Sequence, residues 1–155
     1  MLYVYAIAAI VAAVDQVTKA WVRAEFAPGE TVPIFANVFH FTYVQNPGAA
    51  FGILKGQLGL VILVTAIMVA LVVFNSRNIA SSGPWVRAGL GLALGGGVGN
   101  LIDRLRFGWV TDFLDFRVWP VFNVADSAIF VGVCILLWHL VIVPPKPAEE
   151  GEGRV

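Results

Sequence analysis

The sequence predicts an all-α membrane protein: four transmembrane helices with a small extracytoplasmic β-sheet and loop region at the membrane surface. Three observations carry that expectation. The 155-residue chain is 59% hydrophobic and only 13% charged, above the roughly 45–50% apolar share of soluble domains, so a bilayer is the expected solvent. Apolar runs recur at lengths that suit a hydrocarbon core. Between them lie short aromatic and β-branched segments of strand character.

Leu2 to Val14 is apolar and leads into Asp15 and Lys19, which lie one helical turn apart on one face. Extended to residue 22, this first helix covers about 30 Å, enough to cross. A cleaved signal peptide is the competing reading. Against it, no Lys or Arg precedes the apolar stretch, and the polar pair continues the helix where a cleavage site would relax into extended chain. Leu58 to Phe74 is uncharged and apolar and predicts a second helix over about 57–75. From Trp85 to Ile102 the chain is less apolar, but Gly91, Gly95 and Gly99 recur every fourth residue. They give a smooth face for close helix approach, and so an interior third helix over 84–103. Ser127 to Val143 predicts the fourth, over 123–143, stopped by Pro144 and Pro145.

Four crossings place both termini on one side and segments 23–56 and 104–122 on the other. Phe39 to Val44 reads as a strand ending in a turn at Asn46, Pro47 and Gly48. The aromatic stretch Phe107 to Trp119 would join it in a sheet at the membrane surface and could act as a lid. Trp21, Trp109 and Trp119 would mark that interface, Trp85 and Trp138 the opposite one. Residues 1–145 are thus expected to form one membrane domain, with 146–155 a short disordered cytoplasmic tail. Charge counting favours the opposite orientation: Arg77, Arg87, Lys146 and Arg154 face Lys19, Arg23, Lys55, Arg104, Arg106 and Arg117. With Lys19 and Arg104 set aside as partners of neighbouring acids, the difference is too small to set topology.

The formal net charge is zero and the basic residues are scattered, which argues against nucleic-acid binding. Cys134 is the single cysteine, so an internal disulfide and a thiolate zinc site are excluded. A buried apolar role is expected for it. His40 and His139 fall on opposite sides of the membrane, and no GxSxG is present. Neither a metal nor a cofactor is expected.

Ionisable groups near membrane helices are costly, so each is expected to be paired or functional. Asp15 has Lys19 as a partner; Asp103, with Asn100 and Arg104, suggests a hydrogen-bonded brace; Asp115 suggests a water-facing strand position. Asp126 follows Asn123 by three residues and would form a capping box at the start of the fourth helix. Yet it falls on the same side as Asp112, whose neighbours Val110, Phe113 and Phe116 are apolar. Two carboxylates in one sheltered place share a proton and supply a base and an acid together. That is aspartic protease chemistry.

The blocks "DQVTK" at 15–19, "QNPGAAFG" at 45–52, "GNLIDR" at 99–104, "VTDF" at 110–113 and "FNVADS" at 122–127 together resemble the bacterial signal peptidase II family. The resemblance implies a multi-pass aspartic endopeptidase of the bacterial inner membrane, with both termini cytoplasmic and the active site near the outer leaflet. Its implied substrates are diacylglyceryl-modified prolipoproteins, cut just before the lipidated cysteine; membrane lipid is the other implied partner, and a monomer is expected. Asp112 and Asp126 match the family's catalytic aspartates, and Asp15, Lys19, Asn46, Asn100, Asp103, Arg104 and Asn123 its supporting residues. The family is the target of the cyclic peptide globomycin. Thr111 departs from the valine that many members carry before the first catalytic aspartate. Asn46, Asn100 and Arg104 are candidates to hold substrate carbonyls, and the loop after Tyr43 could bind the unwound cleavage region. Two other classes stay in view: a small proton-coupled transporter or channel subunit, and a noncatalytic membrane scaffold.

Overall fold

The computed structural model describes residues 1–48 and 58–142. In chain order these form α1 (Leu2–Glu25), β1 (Thr31–Phe35), β2 (Phe39–Asn46), α2 (Leu58–Phe74), α3 (Ser76–Ser81), α4 (Pro84–Phe107), β3 (Val110–Asp115) and α5 (Val124–Ile142). The four long helices lie where the apolar runs placed them. Two boundaries differ. α1 runs on to Glu25. α4 extends to Phe107, so residues 104–107 belong to its last turn rather than to the segment beyond it. Arg104 and Arg106 there complement the helix dipole. Gly108, left-handed at φ 78°, closes the end by donating its N–H to the Arg104 carbonyl at 3.0 Å. The tail 146–155, the Pro144–Pro145 stop and the middle of the predicted loop after Tyr43 lie outside the described residues.

α4 packs between α1 and α5, and its glycines set how closely. A methyl group on Gly95 would come within 2.6 Å of the Ala8 carbonyl oxygen, and one on Gly91 within 2.9 Å of the Ile7 side chain. On the other flank Gly89 meets Gly132, and Gly96 meets the Ala125 carbonyl. The predicted stripe therefore faces α1, while a second pair of glycines receives α5. Such contacts let backbones approach where lipid supplies no hydrophobic drive between helices. With its Gly132 side turned to α4, α5 points Cys134 outward. The cysteine expected to be buried is exposed.

Ile10, Val17, Leu63, Leu71, Phe130 and Val141 are exposed apolar residues on these helices. α1 is long and apolar enough to cross a membrane, and α2 and α5 contribute the shorter apolar stretches Ile62–Phe74 and Val124–His139.

The sheet is antiparallel in the order β1-β2-β3. Strand β1 was not anticipated: all five of its residues are exposed, so it lacks inward-outward alternation, and Pro33 suits only an edge. β2 is longer than predicted, reaching Asn46. Val22, Tyr43 and Phe113 form a buried cluster with Phe26, Phe41 and Val124 packed around it, which anchors the sheet to α1 and the start of α5. In this register Val44 stands opposite Asp112, and Asn46 opposite Val110.

Candidate active site

A buried ion cluster underlies the site. Asp15, Lys19 and Asp103 are all 0% exposed. Lys19 Nζ lies 2.9 Å from Asp15 Oδ2 and 3.4 Å from Asp103 Oδ2. In low dielectric such charges persist only when paired and hydrogen-bonded, and here nearly every oxygen has a second partner. Asp15 Oδ1 accepts the Ala125 N–H at 2.9 Å, and Asp103 Oδ2 accepts the Thr111 N–H at 2.9 Å. The predicted Asp103–Arg104 brace is not formed. Consecutive helical side chains diverge by about 100°; Asp103 turns toward α1, while Arg104 Nη1 donates to the Asn100 carbonyl at 3.3 Å.

Above the cluster sit the two carboxylates singled out by sequence. Asp112 Oδ2 accepts from Asn46 Nδ2 at 2.9 Å and its Oδ1 from Asn123 Nδ2 at 2.6 Å. Asp126 Oδ1 accepts from Asn100 Nδ2 at 2.8 Å. The capping box also forms: the Asp126 N–H donates to Asn123 Oδ1 at 2.9 Å, and the Asn123 N–H to Asp126 Oδ2 at 3.3 Å. Capping and site membership are therefore one arrangement, with Asn123 touching both aspartates. Asn46, Asn100, Arg104, Asp112 and Asp126 line a single cavity of about 1150 Å³. Of the predicted aromatic lid, Phe116 and Trp119 also line it, but the strip is not one piece, because Phe107 ends α4 and 110–115 is strand. Asp112 is 2% exposed. Burial, then the negative charge of Asp126, pushes its carboxyl up to about 7, against the pull of the Asn46 and Asn123 hydrogen bonds and the Lys19 charge.

Asp115, expected to face water, is buried instead. Thr42 Oγ1 donates to it at 2.7 Å, and Arg117 donates through its backbone N–H at 2.8 Å and its guanidinium at 3.0 Å. Burial raises its carboxyl, but these bonds and the Arg117 charge outweigh that and hold it below its usual value. Two contributors to the site were missed. Gln16 Nε2 donates to Asp103 Oδ1 and to the Gly99 carbonyl, both at 3.0 Å. Arg23 Nη1 donates to Thr111 Oγ1 at 2.9 Å. The available signal was their polarity on an otherwise largely apolar helix.

The backbone is similar to those of two solved bacterial membrane enzymes. Both, determined by the in meso method at 2.3 Å and 1.9 Å, match with TM-scores of 0.84 and 0.82 at 29% and 30% identity. The first match covers 98% of this chain and 93% of the other, the second 91% and 94%. Residues 7–142 match the family described as signal peptidase (SPase) II, and the chain belongs to that family. It is 48% identical to the lipoprotein signal peptidase of Moorella thermoacetica over 96% of this chain and 95% of that one. It is 47% identical to that of Pelotomaculum thermopropionicum over 96% and 98%. None of these likenesses points toward a transporter.

Proposed function

We propose that this chain is an aspartic endopeptidase of the bacterial inner membrane that removes the signal peptide from diacylglyceryl-modified prolipoproteins, cutting before the lipidated cysteine. The observation that carries the reading is the joint placement of Asp112 and Asp126 on one cavity, joined through Asn123. Family membership supplies the substrate class.

The pair holds one proton. The ionised carboxylate takes a proton from water as the water oxygen bonds to the scissile carbonyl carbon. The protonated carboxyl hydrogen-bonds the carbonyl oxygen, and a proton then passes to the leaving amine as the C–N bond breaks. Arg104 and Asn46 at the cavity edge hold substrate carbonyls, and Asp15, Lys19, Asn100, Asp103 and Asn123 support the pair. Four helices cross the bilayer with both termini cytoplasmic, the sheet lies at the outer leaflet, and a monomer suffices. Globomycin competes for the same cavity.

The test is cleavage of a purified diacylglyceryl precursor by the wild type, Asp112→Asn and Asp126→Asn, with and without globomycin, read by product size. Each variant should lose about 10²–10⁴-fold in rate while staying folded. A folded variant that cleaves at the wild-type rate would remove the dyad; lost proton flux with cleavage intact would favour the transporter.

A further inference from the structure

Lys19 does more in this geometry than balance charge. Besides its two carboxylates it donates to Asn100 Oδ1 at 2.8 Å. An ammonium only donates, so the oxygen end of that amide must face it. The nitrogen end is thereby aimed at Asp126 Oδ1, 2.8 Å away. The same Asn100 oxygen also accepts from Asn123 Nδ2 at 3.1 Å, and that nitrogen carries its other hydrogen to Asp112 Oδ1 at 2.6 Å. Asn123 Oδ1 is left for the Asp126 N–H at 2.9 Å. Two donor-only groups, Lys19 beneath the site and the Asp126 N–H at its edge, thus set the direction of the bonds between them, and Lys19 is the one that grips Asn100.

Resting on the dyad reading, we infer that Lys19 is a positioning residue that orients the amides of Asn100 and Asn123, so that both turn N–H groups toward the two aspartates. Reversal of Asn100 would set a carbonyl oxygen against the Asp126 carboxylate, which is tolerable only when that group carries a proton. Without Lys19 the Asn100 oxygen keeps only the 3.1 Å contact from Asn123 Nδ2, the hold on the productive direction weakens, and the pair becomes harder to ionise. Loss of the ammonium charge acts in the same sense, because Lys19 draws Asp112 down. The charged groups around the cluster are Asp15 and Arg23 on α1, Asp103 and Arg104 on α4, Asp112 on β3 and Asp126 on α5. A charge-neutral comparison must therefore remove an acid together with the lysine.

The experiment uses the full chain with the diacylglyceryl precursor, measuring kcat and KM across pH for Lys19→Met and for Asp15→Asn/Lys19→Met. The double variant leaves the net charge of the cluster unchanged. In each folded variant kcat should fall at least about tenfold, toward the roughly hundredfold that losing one aimed donor costs. KM should stay within about twofold, and the acid limb of the pH profile should move to higher pH. Adding Asn100→Leu should lower kcat no further, because the lysine acts through that amide. Should neither variant fold, Asn100→Leu alone, which removes the aimed donor without adding a charge, should show the same kcat loss and alkaline shift. A wild-type acid limb in any folded variant, or an additive further loss with Asn100→Leu, overturns the inference while leaving the peptidase reading intact. Cleavage at the wild-type rate by a folded Asp112→Asn or Asp126→Asn overturns both.

Discussion

Asp103 grips the backbone N–H of Thr111 at 2.9 Å, so a residue of α4 fixes the strand position next to Asp112. Asp15 does the same for Ala125, next to Asp126, at 2.9 Å. Lys19 joins the two acids. Both site aspartates thus hang by their preceding residues from one ion cluster, so α1 and α4 together relate the geometry of β3 to that of α5.

This arrangement predicts an unequal cost for removing acids. Asp15→Ala strips a fully buried ammonium of its 2.9 Å partner and leaves the Ala125 N–H without its acceptor. Breaking such a pair from one side costs about 3–5 kcal/mol. Asp115→Ala breaks an ion pair whose arginine is half-exposed, worth about 0–1 kcal/mol, and removes the acceptor of Thr42 Oγ1 and of the Arg117 N–H, worth about 1 kcal/mol each, but strands no buried charge. Denaturant unfolding of both variants in bicelles, side by side, checks the ranking; equal losses would show that the cluster carries no special burden.

The raised carboxyl of Asp112 predicts how stability follows pH. Its folded value of about 7 lies above the ordinary 3.8. Between those values the folded chain keeps a proton that the unfolded chain has released, so this group makes stability fall as pH rises through that window. Thermal melts should give a lower Tm for the wild type at pH 8 than at pH 5, and Asp112→Asn, which cannot ionise, should flatten that difference. Turnover should also decline as pH rises through about 7, where the pair loses its shared proton.

Much of the site was legible because its residues sit in compact blocks with strong local meaning. The Asn123–Asp126 spacing is a capping box whatever else it does, and a carboxylate at 112 between apolar neighbours invites a functional reading. What stayed hidden depends on contacts between helices distant in sequence. Asp103 was assigned to Arg104, its neighbour in the chain, whereas its partners Lys19 and Gln16 come from α1. Asp115 looked exposed because strand alternation says nothing about Thr42, which meets it from β2. β1 escaped notice because a strand exposed on both faces leaves no periodic signature.

The glycines of α4 predict graded damage. Gly96 packs against the Ala125 carbonyl, so Gly96→Ala must push α5 away at the residue that Asp15 holds. Overpacking of this kind costs about 1–3 kcal/mol, and the displacement falls next to Asp126, so cleavage should drop with stability. Gly108→Ala meets open space but needs a left-handed backbone at φ 78°. It should cost about 1 kcal/mol and leave cleavage nearly unchanged. Melting curves paired with the precursor assay separate the two outcomes.

Thr111 immediately precedes Asp112 on β3. Its hydroxyl oxygen accepts from Arg23 Nη1 at 2.9 Å, while its backbone N–H is held by Asp103. If the backbone bond is what fixes Asp112, the hydroxyl is an accessory. Thr111→Val should then cost about 0.5–1.5 kcal/mol for the lost hydrogen bond. Arg23 would keep Asp103 at 3.7 Å and the Phe107 ring at 4.7 Å, and kcat should stay within about threefold of wild type. Thr111→Pro removes the N–H itself, frees Asp103 from the strand, and should abolish cleavage. A Thr111→Val enzyme as inactive as Thr111→Pro would transfer the positioning role from the backbone to the Arg23 contact.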